Sequence, residues 1–183
     1  LLFLPFYHIE NAFLHPKAIA AVANKIMLSK APDVNAIETK MVELAKQQLL
    51  HTATLYVKSE VYFQAGNFDI SPKISIDPGT SIADIAAAMN ISKSNLLTKY
   101  GADFSEAMLT SRLQHWYKVL GDSLRTGWSS DARQYFVGKR LLKEIQNWLF
   151  GSRAVVLWEH IVESSDPDCL EACLELRTIL EGI

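Results

Sequence analysis

Residues 1–16 read LLFLPFYHIENAFLHP, an apolar run that ends in a polar turn and then in a proline. The uniformly apolar run Leu1–Tyr7 predicts a short strand buried on both faces, because a half-exposed strand would alternate polar and apolar residues. Pro5 and the polar residues from His8 onward stop the run well short of the ~20 apolar residues that a membrane span needs. We therefore expect the end of a buried sheet here and no membrane segment.

The rest of the chain shows helical periodicity. A helix is predicted to begin at His15-Pro16, where the missing N–H of proline costs nothing. Asp33 is predicted to cap one long helix that reaches Gly66 and forms a hairpin with the first. Further helices are predicted over 104–120, 131–149, 153–162 and 168–180, with turns at Gly121 and Gly127. The predicted fold class is mostly α, a helical domain that follows the last strand or strands of an α/β sheet.

A helix-turn-helix is predicted between residues 80 and 97. Thr80 or Ser81 would cap the first helix, and a break over 90–92 (Asn-Ile-Ser) would separate it from a second helix. Lys93 and Asn95 could then face DNA. Against this interpretation, the usual turn glycine is replaced by asparagine and the second helix holds few basic residues. A DNA-binding transcriptional regulator is therefore one alternative function.

Composition predicts a globular domain with a sizeable core. The 183 residues are 49% hydrophobic, and the formal net charge of −2 argues against a nucleic-acid-binding surface over the whole domain. The only two cysteines, Cys169 and Cys173, are too few for a disulfide framework, which favours a cytoplasmic location. Charge is nevertheless unevenly distributed, because an acidic C-terminus follows a basic stretch. The basic stretch could face phosphates or be a solvated helix face, and it consists of Arg133, Lys139, Arg140, Lys143 and Arg153.

Glu10 is the first candidate site residue. A carboxylate just after a buried strand lies at the carboxyl edge of a sheet, where open α/β folds bind ligands. One carboxylate cannot build a divalent-metal site, because Mg²⁺ requires several oxygen ligands. The alternative is structural: Glu10 caps the helix that begins near Pro16, or pairs with a nearby lysine.

Lys139 is the second candidate. Gly138 lets the backbone approach a ligand closely, and the neighbouring lysine could neutralise a phosphate or a developing oxyanion. The glycine spacing of a P-loop is absent, so a nucleotide-binding loop is not predicted. The alternative is an ordinary surface lysine.

Two segments together resemble the C-terminal signatures of OLD-type Toprim nucleases, in the branch marked by IEN…GK: Ile9–Pro16 (IENAFLHP) and Gly138–Leu142 (GKRLL). The resemblance implies that Glu10 is a late acidic ligand for Mg²⁺ or Mn²⁺ and that Lys139 assists catalysis at the scissile phosphate. It also implies a nucleic acid substrate, DNA or RNA including tRNA, and control by an ABC/SMC-like ATPase partner in bacterial anti-phage defence. A homo-oligomer is left open.

The resemblance also implies residues that this sequence does not contain. A Toprim site needs an early Glu and an Asp-x-Asp pair, which would fall before Leu1, so we expect the chain to start inside a larger protein. Residues 1–15 are then the end of a Toprim-like α/β core, and residues 16–183 are a helical C-terminal domain that contributes to the site. Glu10 and Lys139 should lie within the ~10 Å of a phosphate-plus-metal site. A non-catalytic helical interaction module is the remaining alternative.

Overall fold

The computed structural model describes residues 9–27, 30–65, 74–100 and 105–181. Within these ranges the chain is helical, without a β-strand, which confirms the mostly α class. A 3-10 helix, Ile9–Phe13, precedes nine α-helices: α1 (Pro16–Met27), α2 (Val34–Gln47), α3 (Leu49–Ala65), α4 (Ile82–Tyr100), α5 (Glu106–Ser123), α6 (Ser130–Tyr135), α7 (Gly138–Phe150), α8 (Leu157–Val162) and α9 (Pro167–Glu181). The strand predicted over Leu1–Tyr7 lies outside the described residues.

Two compact units divide the chain, and the first comprises Leu1–Ala45 and Ser123–Ile183. Its centre is the 3-10 helix, which packs against α6, α7, α8 and α9. The predicted pairing of α1 with α2 is not the main contact, because α1 packs chiefly against α8 and α9. The core is built from the apolar face of each helix and includes Leu14, Ile19, Phe136, Leu141, Ile145, Leu157 and Ile161.

The second unit comprises Lys46–Asp122 and holds α3, α4 and most of α5. Tyr56 stacks on Trp116 with ring centroids 4.1 Å apart, and the Trp116 indole donates a 2.8 Å hydrogen bond to Glu60. These contacts tie α3 to α5 through one aromatic pair and one carboxylate. The buried apolar residues of this unit include Val57, Val61, Ile85, Met89, Leu109, Leu113 and Leu120.

Polar caps start several helices where the sequence predicts them. Asp33 accepts a 2.7 Å hydrogen bond from the Ala36 amide, as expected for an N-cap. Ser81 and Asp84 form a reciprocal capping box, in which the Ser81 hydroxyl accepts from the Asp84 amide at 3.1 Å and Asp84 accepts from the Ser81 amide at 3.3 Å. Local sequence therefore fixes the beginnings of α2 and α4.

The predicted helix-turn-helix is wrong, because α4 runs without interruption from Ile82 to Tyr100. Asparagine, isoleucine and serine at 90–92 are weak helix formers, but none of them breaks a helix as glycine or proline does. The Ser94 hydroxyl donates to the carbonyl of Asn90 one turn earlier, a bond that lies within the helix. The geometry on which a DNA-reading second helix depended is therefore absent from this segment.

Three other boundaries differ from prediction. The long helix from Asp33 divides into α2 and α3 at Gln48, and Gly121 lies inside α5 instead of forming a turn. The helix predicted over 131–149 divides into α6 and α7, with Phe136 and Val137 in extended conformations. Gly127 does mark a turn, with φ of 97°.

None of the helices in the described ranges is long and apolar enough to cross a membrane. The division into an α/β remnant at 1–15 and a helical domain at 16–183 stays a prediction.

Candidate functional site

The two sequence motifs meet in the first unit. Glu10 lies in the 3-10 helix, where its side chain is half-buried, and Lys139 is the second residue of α7, where it is exposed. The 3-10 helix and α7 pack directly against each other although 124 residues separate Phe13 from Gly138. The structure therefore brings together the segments that carry the two candidate residues.

Asn11 makes the contact between these segments. Its side chain is fully buried, and its amide nitrogen donates to the backbone carbonyls of Arg133 at 2.7 Å and Phe136 at 2.9 Å. Carbonyls at the end of a helix have no partner within that helix, so the Arg133 carbonyl needs such a donor. Asn11 thus satisfies the end of α6 and holds the extended link to α7.

Gly138 fits against Asn11 only because it lacks a side chain. A Cβ atom built on Gly138 would overlap the side-chain oxygen of Asn11 and lie 2.7 Å from its backbone nitrogen. Side-chain carbon atoms do not approach a backbone nitrogen that closely without displacing it. The sequence suggested that Gly138 opens space for a ligand, whereas here the space is filled by Asn11.

The first turn of α7 carries positive charge and has no side-chain cap. Its N-cap residue, Val137, makes no side-chain hydrogen bond to the helix. The first amide N–H groups of a helix have no partner within the helix, and they favour an anion together with the helix dipole. Lys139 and Arg140 are exposed at this turn, and Arg140 also bonds Glu144 at 3.2 Å. This end of α7 is suited to a phosphate oxygen.

An ion pair with a buried arginine lies near the contact between Asn11 and Gly138. Arg133 is only 5% exposed and pairs with Glu175 of α9. His15 is half-buried and close enough for the charges of both residues to change its pKa. Its Nδ1 has no hydrogen-bond partner within the described residues. Burial lowers the pKa of His15, the positive charge of Arg133 lowers it further, and Glu171 and Glu175 partly oppose these effects.

Sequence reasoning missed this cluster. Arg133 was assigned to a basic stretch that could face phosphates, but its guanidinium is buried and its charge is matched by Glu175. The only sequence signal was one arginine within a mostly apolar segment, 132–137. Such an arginine is predicted to be buried only when its carboxylate partner is known. That partner comes from α9, and local sequence does not specify it.

The cysteines have a structural role. Cys169 is buried, its thiol donates to the carbonyl of Ala18 at 3.6 Å, and burial raises its pKa. A thiol with a raised pKa is a poor nucleophile and a poor metal ligand at neutral pH. Cys173, one turn later, is half-buried. Cys169 therefore contributes to the packing between α9 and α1.

A divalent-metal site needs several donor side chains close together. Among the residues that the structure describes, no group of three His, Cys, Asp or Glu side chains could hold a metal ion. Glu10 alone does not meet the demand of Mg²⁺ for several oxygen ligands. The described residues therefore do not complete a divalent-metal site.

Comparison of the chain with protein-family models, with curated proteins and with solved structures gave no match.

Proposed function

We propose that this chain is the C-terminal portion of a metal-dependent nuclease of the Toprim type, in which Glu10 is a metal ligand and Lys139 acts at the scissile phosphate. Mg²⁺ or Mn²⁺, when bound, would stabilise the attacking and leaving oxygens. The substrate is nucleic acid, DNA or RNA including tRNA. Control by an ATPase partner in anti-phage defence belongs to the same proposal, which the motif resemblance motivates.

One observation carries the proposal: the contact of Asn11 with Gly138. Each motif contributes one partner, since Asn11 follows Glu10 and Gly138 precedes Lys139. A steric contact between a buried asparagine and a glycine leaves little freedom for either segment. The carboxylate and the lysine thus extend from two segments held in fixed register, which supports a shared site.

The electrostatics of α7 also support the proposal. Lys139 is exposed at an uncapped helix start, where the helix dipole favours anions. In phosphodiester cleavage, charge builds on the phosphate oxygens, and a fixed cation beside them lowers the barrier. Lys139 would hold and neutralise that charge. The remaining metal ligands would have to come from residues other than those described.

The test uses the full-length protein that carries this chain. Glu10→Gln and Lys139→Ala should each abolish nucleic-acid cleavage, or cellular toxicity, at unchanged helix content and unfolding midpoint, because both side chains are proposed to act on the reacting phosphate. Matched controls are Lys143→Ala, an exposed lysine one turn further along α7, and Glu106→Gln, an exposed carboxylate on α5. Both controls should retain wild-type cleavage. A wild-type cleavage rate in Glu10→Gln or in Lys139→Ala would show that the substituted residue is not part of the site.

A further inference from the structure

The last two helices expose four large apolar side chains. Trp158 is 43% exposed and Val162 is 51% exposed on α8, and the values for Leu170 and Leu174 on α9 are 47% and 58%. Each pair is four residues apart and therefore lies on one face of its helix. Because α8 and α9 pack against each other, neighbouring helices of one unit carry the two exposed pairs. Clustered exposure of this kind is typical of interaction surfaces.

A glutamate follows each of these apolar residues. Successive helical residues point about 100° apart, so a row of carboxylates flanks each apolar row. Three of the four carboxylates are exposed, whereas the fourth, Glu175, pairs with Arg133. We call this surface the acidic apolar face, and it consists of Trp158, Glu159, Val162, Glu163, Leu170, Glu171 and Leu174.

Positively charged side chains are scarce on the two helices that carry the acidic apolar face. Between residues 157 and 181 the only basic side chains are His160 and Arg177. Arg177 donates a 2.6 Å hydrogen bond to Glu181, so its charge is already matched within α9. The two helices therefore carry few cations of their own to balance their exposed carboxylates.

Other side chains of α8 and α9 pack into the core. On α8 the side chains of Leu157 and Ile161 are fully buried, and on α9 those of Cys169 and Ala172 are fully buried. Trp158, although 43% exposed, also contacts the core through the ring of Phe13 at a centroid distance of 6.4 Å. Both helices are thus already packed on their inner sides, and their outer apolar residues are available for another molecule.

We propose that the acidic apolar face is the docking surface for a basic amphipathic helix of a partner protein. Such a helix would place leucine-type side chains on the apolar rows and lysine or arginine beside the carboxylates. Nucleic acid and anionic membranes carry the wrong charge for this surface. A second copy of the chain related by a two-fold axis would set the same carboxylates against each other, which is unfavourable. The proposal does not depend on nuclease activity.

The experiment measures binding of a labelled synthetic helix built only of leucine and lysine, with leucine at helical spacing, to the full chain by fluorescence anisotropy. Binding should be clear at low salt and weaker at high salt, because salt screens exposed charges. Leu170→Ser with Leu174→Ser should raise the Kd about tenfold through lost apolar contact. Glu163→Gln with Glu171→Gln should raise it several-fold and reduce its salt dependence.

Two controls separate this surface from general stickiness. Ile91→Ser removes an exposed apolar side chain outside this surface, 69% exposed on α4, and should leave the Kd unchanged. A matched helix of leucine and glutamate should not bind. Equal binding of the two helices, or an unchanged Kd in both double variants, would overturn the proposal. A dimer of the wild-type chain that the leucine variant dissociates would instead assign the surface to a second copy, and loss of helix content in that variant would assign it to the chain's own packing.

Discussion

Two short segments of this chain contradict their local sequence in opposite ways. At 90–92, where weak helix formers predict a break, α4 continues unbroken. At Phe136 and Val137, where apolar periodicity predicts a continuous helix, the backbone becomes extended and α6 ends. The difference lies in what surrounds each segment. At 90–92 the helical bonds of α4 persist, whereas the end of α6 and its link to α7 accept two hydrogen bonds from Asn11.

Weak propensity costs a few tenths of a kcal/mol per residue, which one capping box and one buried helix face easily offset. A buried carbonyl without a donor costs more, roughly 1–3 kcal/mol. The side chain of Asn11 removes that cost for two carbonyls at once, and Phe136 is fully buried beside Trp128. Hydrogen bonds from a distant segment therefore decide the break, and propensity does not.

The largest effect is expected from Gly138→Ala. The new Cβ would overlap Asn11, so the 3-10 helix and α7 must separate, and we expect a loss of unfolding free energy of about 3 kcal/mol. Urea denaturation, read as a shift in midpoint at constant slope, measures it.

The matched control for this substitution is Gly121→Ala. Gly121 also lies in a helix, but a Cβ there meets nothing within 4 Å. This variant should gain roughly 0.5–1 kcal/mol, because alanine restricts the unfolded chain more and favours the helix. If both variants changed stability in the same direction, the steric contact with Asn11 would not be the reason for glycine at 138.

A smaller loss is expected from Asn11→Ala. The variant leaves the carbonyls of Arg133 and Phe136 without their donor, which should cost about 2 kcal/mol. It should also relieve part of the clash in Gly138→Ala, so the double variant should lose less than the sum of the single losses, by roughly 0.5–3 kcal/mol. A double-mutant cycle in urea gives this coupling energy directly.

Asn90→Ala provides the comparison at the unbroken segment. The side-chain oxygen of Asn90 has no hydrogen-bond partner within the described residues, and alanine is the better helix former. Stability should therefore stay within about 0.5 kcal/mol of wild type or rise slightly. Equal losses from the two asparagine substitutions would mean that the long-range hydrogen bonds of Asn11 contribute nothing specific.

Much of the helical architecture could be predicted from sequence because its signals are local. Pro16, Asp33 and Ser81 mark helix starts, and α1, α2 and α4 begin at these positions or one residue later. The errors lie where a contact distant in sequence decides: the break after Tyr135 depends on Asn11, and the packing of α1 depends on α8 and α9.

The site was predictable in part for the same reason. Motif resemblance selected the two segments that the fold packs together. The expectation that Gly138 lets the backbone approach a ligand came from the residue type, and Asn11 fills the space there. The ion pair of Arg133 with Glu175 joins α6 to α9, and no spacing rule links residues 42 positions apart. The distance between Glu10 and Lys139 stays a prediction.

The smallest effect is expected from pH, and only the region around the α6–α7 link should respond through His15. Burial lowers the pKa of His15 in the folded state, so the unfolded chain binds its proton more tightly. Neutral His15 therefore contributes to the unfolding free energy above the unfolded pKa of ~6.5. This contribution is lost as pH falls through the lower folded pKa. Measured against pH, the wild-type stability should decline more steeply in this acidic window than that of His15→Gln. Parallel curves for wild type and His15→Gln would show that the proton on this side chain does not distinguish the folded from the unfolded chain.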